Sequence, residues 1–355
     1  MPFAGLWLLL ILCLVVPVDA VGADGFVSSD PKNVDEDFAF QGEYAGLILP
    51  DTGSVCSVYR RAGVQVVAQG NGAFEAVYYD FGLPGAGWNQ QEKFRLKGSR
   101  DGQTLRLHGD QLSAEVTAGQ MILKSPRGYA LGGIPRVVRT SPTLGQVPPP
   151  GAIVLFDGAG VDEFHNGRIT DDGLLMEGAD FRRTFTDFTL HVEFRLPYMP
   201  EARGQKRGNS GIYLQSRYEV QVLDSFGLDG EFNECGALYR YQPPRLNMCL
   251  PPLQWQTYDI AFRSPRFDES GAKTQNARLT VSHNGVLVHD EFNVERKTGA
   301  GQPESPDPYP IRLQNHNDPV RFRNIWIVDH SPAASVASTA GTGSFRNSAV
   351  VSMSR

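Results

Sequence analysis

Strict alternation of apolar and polar residues is the feature that most limits how this chain can fold. It is clearest between Asp187 and Arg195, where the sequence reads DFTLHVEFR and every second residue is large and apolar. Because successive side chains of a β-strand point to opposite faces, this spacing predicts a strand with one buried and one polar face. His191 and Glu193 are expected to share the polar face.

Several other segments show strand-like patterns, and no helical periodicity persists beyond two turns. Two of the predicted strands are joined through His283-Asn284-Gly285, in which the Asn-Gly pair suits the positive φ angles of a tight hairpin. The chain is therefore predicted to be all-β. The further strands are expected at Tyr218 to Val222, Gln256 to Phe262, Ala277 to Ser282, Val286 to His289, Ile311 to Asn315 and Val320 to Val328.

A proline-rich segment divides the chain into two parts. Residues 141–151 read SPTLGQVPPPG, and three consecutive prolines can continue neither a helix nor a central strand. We therefore predict a small β-rich domain at 24–146, a linker at 147–151 and a second β domain at 152–329. In the first domain, Trp88 of the FGLPGAGW segment is expected to pack into the core, with a sugar-binding platform as the alternative.

Both ends of the chain differ in composition from these domains. The apolar run from Leu6 to Val16 precedes two small-residue cleavage patterns, and it is too short to span a bilayer comfortably. It predicts a signal peptide at 1–23 and a secreted, periplasmic or cell-envelope protein, with an uncleaved anchor as the alternative. Residues 330–355 are rich in Ser, Ala, Gly and Thr and are predicted to be a disordered tail.

The formal net charge of -6 argues against a nucleic-acid partner. Binding to phosphates depends on basic stripes that release counterions, and this chain shows none. No transmembrane span is expected in the mature chain.

The predicted strand beginning at Tyr218 carries the most site-like arrangement of polar residues. Glu219 and Gln221 point to one face, about 7 Å apart along the strand. Asp224 has the opposite parity and joins them only if the strand bulges or ends near Leu223. Two carboxylates would then flank one groove. The alternative is that Glu219 and Gln221 cover a solvated sheet face.

Nine short motifs follow one another in a fixed order over roughly residues 152–328. They are VLFDG, LLMEG, DFTLHVEFR, GNSGIY, YEVQVLD, ECGALY, WQTYDIAF, HNGV and IRLQNHNDPVRFRNIWI. Together they resemble the 3-keto-disaccharide hydrolase domain family. The resemblance implies a concanavalin-like jelly-roll sandwich, preceded here by the small β domain, and cleavage of sugars oxidised at carbon 3. Two insertions depart from the family, at Met199 to Lys206 and at Pro303 to Pro310, and both are expected in loops that border the substrate.

The chemistry of a 3-keto sugar suggests roles for the polar residues. The ketone acidifies the hydrogen on carbon 2, so a single base can start elimination of the group on carbon 1 before water adds, provided a donor or cation stabilises the enolate. Glu219 is the expected base. Asp224 is its expected acid/base partner, as in a paired-carboxylate glycosidase, with Gln221 between them.

Five further residues are predicted to bind substrate. They are Arg240 and His316, as candidates for enolate stabilisation, and Tyr239, Asn209 and Gln314. A surface salt bridge for Arg240, a structural hydrogen bond for His316 and turn chemistry for Asn209 are the alternatives. The function expected is an exported hydrolase, or lyase-hydratase, of 3-keto-glycosides. The alternative is a non-catalytic carbohydrate-binding or surface-interaction protein, since sandwich folds host both.

Cysteine and histidine spacing bear on cross-links and metals. In an exported protein Cys235 and Cys249 would form a disulfide, worth about 3 kcal/mol for a loop of this length, with buried thiols as the alternative. The histidines show no paired spacing typical of a transition-metal site. No cofactor is evident, while a calcium or other divalent ion bound by oxygen ligands stays open.

Overall fold

The computed structural model describes residues 25–49 and 58–331, and over these residues the predicted all-β fold is confirmed. In those two ranges the only helices are two 3-10 helices, Glu36–Ala39 and Gly204–Lys206. Neither is long and apolar enough to cross a membrane. The predicted signal peptide lies outside the described residues. So do Cys56 and the part of the predicted tail that follows Ser331.

The first eight strands form a closed antiparallel barrel in which each strand pairs with its neighbours in sequence and β8 closes on β1. Closure leaves no unpaired edge and encloses a core that includes Tyr44, Val66, Phe74 and Leu105. The strands are β1 (Gly42–Ile48), β2 (Arg60–Gly70), β3 (Ala73–Asp80), β4 (Lys93–Asp101), β5 (Thr104–His108), β6 (Ser113–Thr117), β7 (Gln120–Lys124) and β8 (Ala130–Val137).

The remaining strands form a sandwich of a five-stranded and a seven-stranded sheet, with a separate two-stranded ribbon. The five-stranded sheet has the order β10-β12-β21-β14-β15; the seven-stranded sheet has β11-β22-β13-β16-β19-β20, with β9 paired to β22. The strands are β9 (Ile153–Phe156), β10 (Phe164–His165), β11 (Leu175–Met176), β12 (Asp180–Thr184), β13 (Asp187–Arg195), β14 (Ser210–Leu214), β15 (Tyr218–Val222), β16 (Trp255–Arg263), β17 (Arg266–Phe267), β18 (Lys273–Gln275), β19 (Ala277–His283), β20 (Val286–Val294), β21 (Pro310–Leu313) and β22 (Arg321–Asp329).

The alternation that opened the sequence analysis is confirmed in β13. Its apolar residues lie in the sandwich core, and His191 and Glu193 share the other face. That face is not solvated, because the proline-rich segment at 141–151, called the connector below, covers it. The Gly145 amide donates to Glu193 Oε1 at 2.5 Å, and Thr143 Oγ1 donates to Asp259 at 2.7 Å. His191 and Glu193 are therefore fully buried.

The barrel and the sandwich share part of one core. Tyr198 and Leu253, from loops of the sandwich, belong to the apolar cluster inside the barrel. The Tyr198 hydroxyl donates to Asp35 at 2.9 Å, and the Phe26 amide donates to Glu201 at 2.9 Å. The Met199 to Lys206 insertion therefore lies against the barrel.

Candidate active site

A row of polar side chains crosses the five-stranded sheet on the face turned away from the sandwich core. Strand pairing places its members next to one another in the order His165, Asp180, Arg312, Tyr213 and Glu219. The residues that alternate with Glu219, namely Tyr218, Val220 and Val222, lie in the core. The row thus occupies a single face, as the pleat of each strand requires.

Glu219 is the most strongly perturbed acid of this row. Its side chain is 2% exposed, and its Oε2 atom has no hydrogen-bond partner among the described residues. Burial raises the pKa of Glu219 to about 7, although a hydrogen bond from Tyr213 and the charge of Arg312 act in the opposite direction. A carboxyl group with this pKa can exchange a proton near neutral pH.

Two glycines shape the space around this carboxyl group. A β-carbon added at Gly211, directly across from Gln221, would lie 2.4 Å from Glu219 Oε1. One added at Gly299 would lie 3.3 Å from Glu219 Oε2 and 2.8 Å from ring carbon Cδ1 of Tyr239. Gly211 therefore makes room for Glu219 within the sheet, and Gly299 covers it from the loop that precedes β21.

The loop containing Gly299 is attached to the turn before β15. Thr298 Oγ1 accepts from the Glu219 amide at 2.7 Å, and the Thr298 amide donates to Arg217 O at 3.0 Å. Glu219 and Gln221 are both buried, so they do not cover a solvated sheet face. Tyr213 is buried as well.

Gln221 and Asn209, two of the predicted site residues, lie next to each other beside Glu219. The Gln221 amide nitrogen lies 3.2 Å from both Asn209 Oδ1 and Gln205 Oε1. With the amide turned over, its nitrogen donates instead to Glu219 Oε1 at 3.2 Å. Gln221 therefore lies between Glu219 and Gln205 of the Met199 to Lys206 insertion, and it bonds Glu219 only in the turned orientation.

Asp224 is not brought together with Glu219. Its Oδ2 atom accepts from Arg207 Nε at 2.7 Å, and both side chains are buried. The other carboxyl oxygen accepts from the Phe226 amide. The strand ends at Val222, but the chain then turns Asp224 towards Arg207, so the predicted pair of carboxylates flanking one groove is not formed.

The remaining predicted substrate-binding residues lie at the edge of the site. Tyr239 is half-buried beside Gly299, and the Arg240 guanidinium lies 5.4 Å from the centre of its ring. Gln314 shares the sheet face of Arg312, two residues earlier, while His316 is exposed beyond the strand end. Tyr239 contacts Glu219 through the backbone, where its amide donates to Glu219 O at 3.1 Å.

Arg312 is the functional candidate that sequence reasoning missed. Its guanidinium lies 5.0 Å from the Tyr213 ring centre, and its Nε atom is 4.0 Å from Asp180. Burial raises the pKa of Asp180, against the opposing charge of Arg312. Arg312 could have been found from the predicted residue Gln314, because residues two apart in a strand point to the same face. Nothing in the short segments around His165 and Asp180 indicated their place in the row.

Cys235 and Cys249 are free thiols in the structure and do not form the expected disulfide. Both are fully buried in the sandwich core, and Cys235 Sγ lies 3.2 Å from the Tyr258 hydroxyl. Burial raises the pKa of the Cys249 thiol. Buried thiols behave as small apolar side chains and need no cross-link to contribute to packing.

No group of three or more His, Cys, Asp or Glu side chains within the described ranges is arranged to hold a metal ion. A calcium or other divalent ion stays a prediction without a site.

Comparison with known proteins identifies a family for the sandwich. The model of the 3-keto-alpha-glucoside-1,2-lyase-like domain matches residues 151–328. A crystal structure from Parabacteroides distasonis, described as a putative glycosyl hydrolase, is 32% identical over 51% of this chain and 84% of that chain, with a TM-score of 0.47. A second crystal structure from that organism, also described as a putative glycosyl hydrolase, is 16% identical. The match covers 54% of this chain and 98% of that chain, with a TM-score of 0.35.

No curated protein matches the chain significantly. The family match covers the whole sandwich, from β9 to β22, and with it every member of the polar row. Through residues 151–328, the chain belongs to the family of 3-keto-alpha-glucoside-1,2-lyase-like domains, the one that its motifs resemble.

Proposed function

We propose that this protein cleaves 3-keto-glycosides by elimination, with Glu219 as the general base. Glu219 removes the proton from carbon 2, and the electrons of that C–H bond form the enolate of the carbon-3 ketone. Collapse of the enolate restores the carbon-3 ketone, forms a second bond between carbons 1 and 2, and breaks the bond from carbon 1 to its oxygen, which leaves and takes up a proton. Addition of water across the double bond then completes a net hydrolysis.

The Glu219 carboxyl group carries this proposal. A general base works best when its pKa lies near the operating pH, and burial raises the pKa of Glu219 to about 7. Its Oε2 atom is the one that faces the covering loop and lacks a partner among the described residues. An unpaired, partly ionised oxygen is what abstraction of a carbon-bound proton requires.

Arg312 and Tyr213 supply the other requirements of the reaction. Tyr213 hydrogen-bonds Glu219 and holds it in one orientation. Arg312 is the cation on the same sheet face, next to Tyr213, and its position suits it to stabilise the enolate oxygen in place of Arg240 and His316. Because Asp224 is engaged with Arg207, this single-base route fits the site better than a paired-carboxylate hydrolase.

Substrate access requires the covering loop to move. Glu219 lies beneath Gly299 and Tyr239, so residues 298–301 must separate from the sheet before a sugar can reach Oε2. Closure afterwards would exclude water from the enolate.

Turnover of a 3-keto-glycoside in deuterated water tests the proposal. We expect deuterium at carbon 2 of the product, and Glu219→Gln should lose about 10²–10⁴-fold in kcat/KM. Glu269→Gln, an exposed glutamate in the ribbon turn, is the matched control and should retain full activity.

Direct displacement at carbon 1 leaves the carbon-2 hydrogen untouched. Product without the label, under conditions where the product itself does not exchange, would exclude elimination. If the protein binds both ordinary and 3-keto-glycosides and consumes neither, the non-catalytic carbohydrate-binding alternative takes its place.

A further inference from the structure

The two ends of the barrel differ in what covers them. Tyr198 and Leu253 of the sandwich pack into the end where β2 leads to β3. At the opposite end β1, β3, β5 and β7 finish and the next strands begin. A cavity lies there, and among the described residues its lining comes from the barrel strands and their loops. This end has a cavity of about 360 Å³, within the range of about 300–1,000 Å³ typical of small-molecule sites.

Aromatic and apolar side chains form one wall of this cavity. Tyr78 and Phe94 are stacked, with ring centres 5.8 Å apart and an angle of 20° between the ring planes. Ile48 and Leu112 close the bottom of the cavity towards the barrel core. Exposed aromatic residues, Tyr59, Phe81 and Tyr129, lie in the loops at the same end.

Two buried polar atoms at the cavity lack a hydrogen-bond partner among the described residues. Ser125 lines the cavity and is 3% exposed, and its Oγ atom is one of them. Arg60 Nε is the other. Leaving a buried polar group unsatisfied costs about 1–3 kcal/mol, so such atoms call for an explanation. A bound ligand that hydrogen-bonds both would supply one.

The charges around the cavity favour a neutral ligand. Arg60 forms an ion pair with Asp80 at 2.9 Å, and Glu92 lies in the lining with Arg127. A ligand that packs an apolar face on an aromatic ring and presents hydroxyl groups to Ser125 and Arg60 has the character of a pyranose. We infer that this cavity at the end of the barrel is a second carbohydrate-binding site, which accepts a neutral glycosyl unit independently of Glu219.

The test is calorimetric titration of the full chain with three ordinary trisaccharides, cellotriose, maltotriose and xylotriose. At least one is expected to bind the wild-type protein at one site. Ser125→Ala should weaken that binding about fivefold or more through loss of a hydrogen bond. It should leave the melting temperature unchanged or raised, because an unsatisfied hydroxyl is removed.

Two further variants keep the result decisive. Ser99→Ala, on the exposed surface of β4, is the matched control and should bind as the wild type does. Glu219→Gln should also bind normally, which separates this site from the proposed active site. The inference is overturned if none of the trisaccharides binds, if Ser125→Ala binds as tightly as wild type, or if Glu219→Gln removes the binding.

Discussion

At the scale of single residues, the candidate site depends on the burial of one carboxyl group. Glu219 lies on a sheet face between Tyr213 and the space left by Gly211, under a loop that contributes Gly299. Burial disfavours its charged form, and one oxygen is left without a partner among the described residues. The cost of this arrangement to stability is what makes Glu219 a candidate for function.

The raised pKa of Glu219 predicts opposite effects of pH on stability and on activity. Between the ordinary pKa of 4.5 and the folded value of about 7, the folded state holds a proton that the unfolded state has released. The free energy of unfolding should therefore fall as pH rises through this range. For the wild type, denaturant melts at pH 8 should give a free energy of unfolding lower than that at pH 4, by at most ~3 kcal/mol from this group. In Glu219→Gln this pH-dependent difference should be absent.

Activity should rise over the same interval, because a general base acts only when ionised. We expect kcat/KM to increase with pH through an apparent pKa of about 7. A rate that is flat between pH 5 and pH 8 would contradict the role of Glu219.

Gly211 offers a second test at this scale. A methyl group there would lie 2.4 Å from Glu219 Oε1 and must displace the carboxyl group. Gly211→Ala should lower kcat/KM about 100-fold, as misplacement of a catalytic group by about 1 Å can. Gly160→Ala is the control, since nothing lies within 4 Å of its added β-carbon; equal activities of the two variants would argue against the site.

At the scale of elements, the connector is part of the sandwich. It covers the polar face of β13, where Glu193 accepts hydrogen bonds from Gly145, Asn324 and Arg323. Burial opposes the ionisation of Glu193, but these bonds and His191 outweigh it and lower its pKa to about 2. His191 in turn lies 2.6 Å from Asp259 and stacks on Trp326.

Removing the Glu193 charge should release the connector. Glu193→Gln is expected to lower the free energy of unfolding by about 1–3 kcal/mol and to speed hydrogen exchange at the Gly145 amide. Because the folded pKa is depressed, the stabilisation is present above pH 4.5 and is lost as pH falls towards 2. Unchanged exchange at Gly145, with Glu269→Gln as the reference, would refute this role.

At the scale of the whole molecule, the barrel and the sandwich depend on each other. The structure places Tyr198 inside the barrel and the connector over β13. A chain that begins at Gly151 lacks both the barrel and residues 141–150, so the Tyr198 side chain and the polar face of β13 would be exposed to water.

We therefore expect a chain beginning at Gly151 to be poorly folded. In the full chain, Tyr198→Ala should cost about 3–5 kcal/mol through the cavity it leaves and the lost bond to Asp35. Tyr129→Ala, whose ring is exposed, should change the melting temperature little. A folded, cooperative transition of the shortened chain by calorimetry would show instead that the sandwich is independent.

The sequence by itself determined several strands of the sandwich and which face of each is polar, because the two-residue period of a strand is a local property of the backbone. It thereby identified Glu219, Gln221 and the shared face of His191 and Glu193. The tertiary structure decided what each polar face meets. Strand order placed Arg312 and Asp180, from distant segments, in the same polar row as Glu219. An ion pair with Arg207 turned Asp224 away from that row, and the connector buried Glu193. Such contacts depend on how long loops return, which no local pattern encodes.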